Sequence, residues 1–238
     1  MARFARQGLS MIQQEAMNSA WQHFWQLLLE APLPAPPPPV APISVPLDDE
    51  FDFLAEPAAP PSAKRAPDSA VPDPQRLAQL AGLESVEAEL VAALTQQFHT
   101  LRDDPRLDRV DAAGALWLCR LLVQGPVASL PEHGPLLRLL QRAARSPDPA
   151  LVALAADAIG HLDARAAQLD LVARLHANPR SLGHDGVDRV LACLKTVADG
   201  RCVREMEALL VERGAELSDV HAWQARHIVQ VIRRSGRK

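Results

Sequence analysis

Apolar residues return every three or four positions through residues 146–162, SPDPALVALAADAIGHL, and the chain is built on repetitions of that stretch. Asp148 reads as an N-cap and Pro149 as a first helical residue, where the missing N–H costs nothing. Behind them Leu151, Ala155, Ala158 and Leu162, flanked by Val152 and Ile159, draw one stripe at helical spacing. Val187, Val190, Leu191, Leu194 and Val197 draw it again, and so do Ala225, Ile228, Val229 and Ile232. A shorter leucine-rich segment precedes each: PLLRLLQRAA, QLDLVARLHA and EMEALLVERG. An earlier pair, ELVAALTQQF and AGALWLCRLL, fits with a longer turn. With Leu118, Ile159, Leu194 and Ile232 taken as equivalent, the steps are 41, 35 and 38 residues. Divided at its Gly and Pro breakers, this region predicts about eight helices, near 84–102, 109–124, 131–145, 149–162, 164–177, 186–199, 202–214 and 219–234. No single pair buries its apolar face alone, so neighbouring pairs must share a core.

The first thirty residues follow the same period with a different composition. Phe4, Ile12, Ala16, Ala20, Phe24 and Leu28 lie on one face, widened by Met11, Met17, Trp21, Trp25 and Leu27. Glutamine and asparagine occupy the opposite face, and Arg3 and Arg6 balance Glu15 and Glu30. A helix with so wide an apolar face must bury it somewhere. The expectation is an isolated amphipathic docking helix over 1–30, whose Phe4, Ile12, Trp21, Phe24, Trp25 and Leu28 enter a groove on a partner protein. Membrane attachment fits less well, because interfacial helices usually carry Lys and Arg on their polar face. The third destination is the chain's own helical array, which the following segment is long enough to let it reach.

That segment, residues 31–75, holds 14 of the chain's 21 prolines. It reads as an extended or disordered acidic spacer, since proline fixes φ and removes donors. One island interrupts it at 47–56, where acidic residues alternate with Phe51, Phe53 and Leu54. Phe51 and Phe53 make this a candidate recognition motif. Residues 76–238 form the repeating domain. The polar positions two places after each equivalent apolar residue, Arg120, His161, Thr196 and Arg234, are the candidate ridge for partner proteins.

Composition sharpens the class. Aromatics are 4 % and tyrosine is absent, so the core must be aliphatic and the fold all-α. Three widely spaced cysteines make a disulfide framework improbable and point to a reducing, cytoplasmic setting. No apolar run is long enough for a transmembrane helix. The net charge of -4 gives no general attraction to nucleic acid. From Arg201 onward, however, eight basic residues face five acidic ones, a docking site for something acidic or simply a solvated cap. An acidic island and a basic last repeat on one chain are expected to meet at high effective concentration. There is no glycine-rich phosphate loop, HExxH, CxxC or nucleophile-elbow serine, and His221 and His227 are spaced onto different helical faces. Neither a metal nor a cofactor is expected.

The segment LLRLLQRAARSPDPALVALAADAIGHL resembles a HEAT repeat: a leucine-rich first helix, a tight Asp-Pro turn and an alanine-rich second helix. The resemblance extends over residues 85–234 and is carried best by 134–162; later units replace the Asp-Pro turn by NPRSLGHDG and GAELSDV. It implies a HEAT-like solenoid of helical hairpins, and by analogy a non-enzymatic adaptor or scaffold in a multiprotein assembly. The alanine, arginine and leucine bias suggests a bacterial chain. Some HEAT-like proteins are enzymes, DNA glycosylases and bilin lyases among them, and Trp117, Trp223 and Asp157 are the residues such a role would recruit. Against the glycosylase reading, residues 76–200 hold 13 basic and 15 acidic groups, a poor balance for gripping phosphates.

Overall fold

The computed structural model describes the backbone of residues 2–29 and 71–236, and the side chains of 14–29 and 71–236. Its helices are α1 (Ala2–Leu29), α2 (Pro74–Ala81), α3 (Glu87–Arg102), α4 (Ala112–Gln124), α5 (Pro135–Ala144), α6 (Pro149–His161), α7 (Gln168–Ala177), α8 (Gly183–Val197), α9 (Val203–Glu212) and α10 (Asp219–Ser235). The described residues contain no strand, and none of their helices is long and apolar enough to cross a membrane.

From α3 onward the helices pack as hairpins in two layers. α3, α5, α7 and α9 follow one another in the first layer, and α4, α6, α8 and α10 in the second. The all-α, hairpin-repeat architecture expected from the pattern is therefore the one adopted. Local chemistry places the helix starts. Asp73, Asp104 and Asp148 each precede a proline and accept a backbone N–H two residues on, at 2.9, 2.9 and 3.2 Å. Gly134, ahead of α5, sits at φ 139°, a conformation that L side chains resist.

α6 shows why alanine is frequent in the second helices. It lies between α4 and α8 and against α5, so Leu151, Val152, Ala155, Ala156, Ala158 and Ile159 are all buried, on more than one face. Small side chains let three neighbours approach at once. Arginines of the first helices fasten successive hairpins. The guanidinium of Arg142 donates to the carbonyls of Leu107 (2.9 Å) and Asp108 (2.5 Å), in the turn of the preceding hairpin. Arg174 does the same one hairpin later, donating to Ser146 O at 2.9 Å and also to Ser181 Oγ at 2.9 Å. Burial holds both guanidinium pKa values below the ordinary one.

The structure corrects the N-terminal expectation. α1 is not isolated: Met17, Trp21, Phe24, Trp25 and Leu28 are buried, and α1 packs along α3 with further contacts to α2 and α4. Phe24 is 0 % and Leu28 1 % exposed. Trp21 stacks on Phe24 at 5.5 Å between centroids and meets Trp25 edge-on at 6.0 Å. Arg106 lies over the Trp25 ring at 4.4 Å. A Cβ at Gly114 would come within 2.9 Å of Leu28 Cδ1, so glycine there is what admits the Leu28 side chain. Trp21, Phe24, Trp25 and Leu28 are thus core residues rather than anchors offered to another protein. The physical reason is the open end of a solenoid: the outer faces of α3 and α4 are apolar and need covering.

α2, a helix that the sequence pattern did not predict, completes the cover. It packs on α4 while α1 packs on α3, so two helices far apart in sequence take the position of one more hairpin. Arg76 of α2, 1 % exposed, reaches Asp111 Oδ2 at 3.3 Å, and Asp111 also caps α4 by accepting Gly114 N–H at 2.7 Å. The side chains of Phe4 and Ile12 lie outside the described residues, as do the island at 47–56 with Phe51 and Phe53 and nearly all of the proline-rich segment.

Candidate functional site

The polar ridge expected on the second helices resolves into two kinds of residue. Arg120 turns to α3 and its approach, pairing with Glu87 at 3.0 Å and Glu84 at 3.5 Å, with Trp117 beneath its guanidinium at 5.0 Å. His161 Nε2 lies 3.1 Å from Gly125 O at the end of α4. Both groups are thus engaged within the array rather than unpaired, while the Arg120 side chain stays 41 % exposed. Thr196 is exposed but bonds back to Cys193 O at 2.7 Å, within its own helix. Arg234 alone of the four is exposed with no hydrogen-bond or ion-pair partner among the described residues.

Arg234 shares a face of α10 with Trp223, His227 and Gln230, at helical spacings of four, seven and eleven from Trp223. This face borders a groove between α8 and α10 of about 270 Å³, whose lining includes Asp188 at one end, Lys195, Leu191, Trp223, Gln224 and His227. Trp223 is 62 % exposed, and its ring lies flat on His227, 5.4 Å between centroids and 5° between planes. The other described tryptophans, Trp21, Trp25 and Trp117, are buried. Gln224 Oε1 is buried without a donor on the wall of the groove. Lys195 and Arg226 have no ion-pair partner among the described residues, whereas Arg201, Arg213 and Arg233 are paired with Asp199, Glu216 and Glu207. The basic character of the last repeat is thus available at only some of its residues.

At the N-terminal end of the groove, α8 and α10 bring three potential ligands together. His221 is 3 % exposed in the first turn of α10, whose cap Ser218 accepts its N–H at 3.2 Å. Its Nε2 is 3.1 Å from Asp188 Oδ1, and the other oxygen of Asp188 is 3.0 Å from His184 Nδ1. The His184 and His221 rings are 4.3 Å apart between centroids. Reading the sequence paired His221 only with His227 and so missed its true neighbours. His184 and Asp188, four apart on one helix, were the available signal.

The three thiols are not placed as nucleophiles. Cys119, Cys193 and Cys202 are buried, and desolvation raises their thiols to about 12, about 12 and about 11. Asp157, a residue that an enzymatic reading would recruit, pairs with Arg189 at 2.6 Å and links α6 to α8. Trp117, another, is buried in the array. Compared with protein-family models, with curated proteins and with solved structures, the chain matches none.

Proposed function

We propose that the protein is a non-enzymatic, HEAT-like adaptor of the bacterial cytoplasm, which binds acidic segments of other proteins in the groove between α8 and α10. The observation that carries this reading is Trp223, a large ring held in water on His227, above a groove edged by unpaired Lys195. A tryptophan so exposed gains by covering its face with an apolar or aromatic side chain. Lys195, Arg226 and Arg234 favour carboxylates, and Gln224 Oε1 awaits an N–H donor. An acidic strand with interleaved aromatic residues meets all three requirements. The chain's own residues 47–56 have that chemistry, so they are a natural competitor that an external partner displaces.

The test uses a synthetic peptide of residues 46–58 as probe, added to a chain in which the same residues are replaced by a Gly/Ser spacer. Because the remaining tryptophans are buried, the emission of Trp223 reports the groove. The expected result is a saturable change that weakens with salt, since exposed charges are screened within about 8 Å at physiological ionic strength. Trp223→Ala should abolish the response and Lys195→Glu should weaken it about tenfold, the loss of one favourable charge contact. Neither variant should change the melting temperature, because both side chains are on the surface. Absence of saturable binding, or equal binding by Trp223→Ala measured by calorimetry, rejects the groove.

A further inference from the structure

The geometry points to a second site, at the N-terminal end of the peptide groove and sharing Asp188 with it: His184, Asp188 and His221 form a binding site for a divalent transition-metal ion, Zn²⁺ by preference, that ties α8 to α10. The three donor atoms, one from each residue, all lie within 4.8 Å of one another. Ligands about 2.0 to 2.1 Å from a tetrahedral zinc are separated from each other by roughly 3.3 Å. His184 Nδ1 is 3.0 Å from one Asp188 oxygen and His221 Nε2 is 3.1 Å from the other, each close to that value, and the set taken with a single oxygen lies within 4.8 Å. A small rearrangement at the exposed His184 therefore suffices to admit the ion. Two imidazoles and one carboxylate are a donor set that Zn²⁺ accepts with its fourth position open, whereas Ca²⁺ and Mg²⁺ prefer oxygen ligands.

The placement of the donors adds to the argument. His184 and Asp188 stand four residues apart and so face the same way from α8. His221 comes from the opposite helix, and it is held in place by burial before any ion arrives. A site with one ligand already fixed loses less conformational freedom on binding. The competing cation, Arg189, points elsewhere, engaged by Asp157 and Asp185. The thiols do not compete for zinc either, because all three are buried and protonated. Binding at this place would fasten α10 to α8.

The experiment titrates Zn²⁺ into untagged full-length protein, followed by calorimetry and thermal unfolding, with Co²⁺ as a spectroscopic substitute. The expected result is one Zn²⁺ per chain and a rise in melting temperature of about 5 °C at a hundredfold excess over Kd. Co²⁺ should give a visible absorption band in proportion to occupancy. His184→Ala, at an exposed position, should leave the metal-free melting temperature unchanged and weaken Zn²⁺ binding at least about tenfold. Asp188→Asn should weaken it similarly. No binding up to millimolar Zn²⁺, or binding undiminished in either variant, overturns the site. His184 does not line the peptide groove, so His184→Ala, which should leave peptide binding unchanged, separates the two sites.

Discussion

Phe24→Ala is expected to lower the melting temperature by about 10 °C, the consequence of losing about 4 kcal/mol from a chain of this size. Phe24 is fully buried, with Trp21 stacked upon it, and α1 lies against α3. Removing its ring leaves a cavity that the neighbours cannot close, because Trp21 and Trp25 are held by their own contacts, Trp25 beneath Arg106. Replacing Trp21, Phe24 and Trp25 together removes an amount comparable with the whole stability of a typical domain, about 5–15 kcal/mol. That triple variant should release α1 or fail to fold. A docking helix would behave oppositely: its aromatic residues could be replaced with no thermal effect. Differential scanning calorimetry of Phe24→Ala distinguishes the two, and an unchanged melting temperature would contradict the burial described for α1.

Arg174→Leu should cost about 3 kcal/mol, far more than a surface arginine, because the buried guanidinium donates to Ser146 O and ties two turns together. The residue is 8 % exposed and donates to Ser146 O and Asn178 O and to Ser181 Oγ. These acceptors belong to two turns, the one between α5 and α6 and the one after α7, so one side chain joins consecutive hairpins. Leucine fills the space but takes the donor from Ser146 O, while Asn178 O keeps its bond from Ser181 Oγ. Arg174→Lys should recover only part of the loss, since an ammonium cannot span acceptors that a planar fork reaches together. Urea unfolding measures both. A loss of only about 0.5 kcal/mol for the leucine variant, the value of an exposed pair, would mean that water replaces the guanidinium.

Much of the array was legible because period and punctuation agree. The stripe of Leu151, Ala155 and Ala158 is buried in α6, and Asp148 and Pro149 begin that helix as the capping chemistry requires. Boundaries drifted where short 3₁₀ turns lead into a helix, as at Glu84–Val86 before α3 and Arg165–Ala167 before α7. Those turns share the apolar period without being α-helical. α2 was missed although Asp73 and Pro74 repeat the Asp148–Pro149 signature, because the proline-rich composition around it hid an eight-residue helix.

The site was less legible for a different reason. A helical period shows which residues share a face but not what that face meets. The aromatic face of α1 was therefore visible, while its destination depended on whether the first hairpin left an apolar end exposed. Arg120 and His161 looked free for the same reason, since Glu87 and Gly125 O lie far from them in sequence. The histidine–aspartate cluster joins His221 to Asp188 across 33 residues, a pairing that no local pattern encodes. Only the equivalence of successive hairpins, which brings α10 beside α8 past the intervening α9, places those side chains together.

α1 and α2 together cap the helical array, α1 on α3 and α2 on α4. The most direct test of this cap is a specific protease site introduced at residues 56–60, followed by cleavage and gel filtration under native conditions. Such a cap predicts that the fragment containing α1 stays with the fragment containing residues 71–236 and elutes with it, with masses confirming both, and that the Trp21, Phe24 and Trp25 triple alanine variant, where it folds, releases the N-terminal fragment. Free elution of the wild-type N-terminal fragment, with the remaining fragment unchanged in helicity, would contradict it.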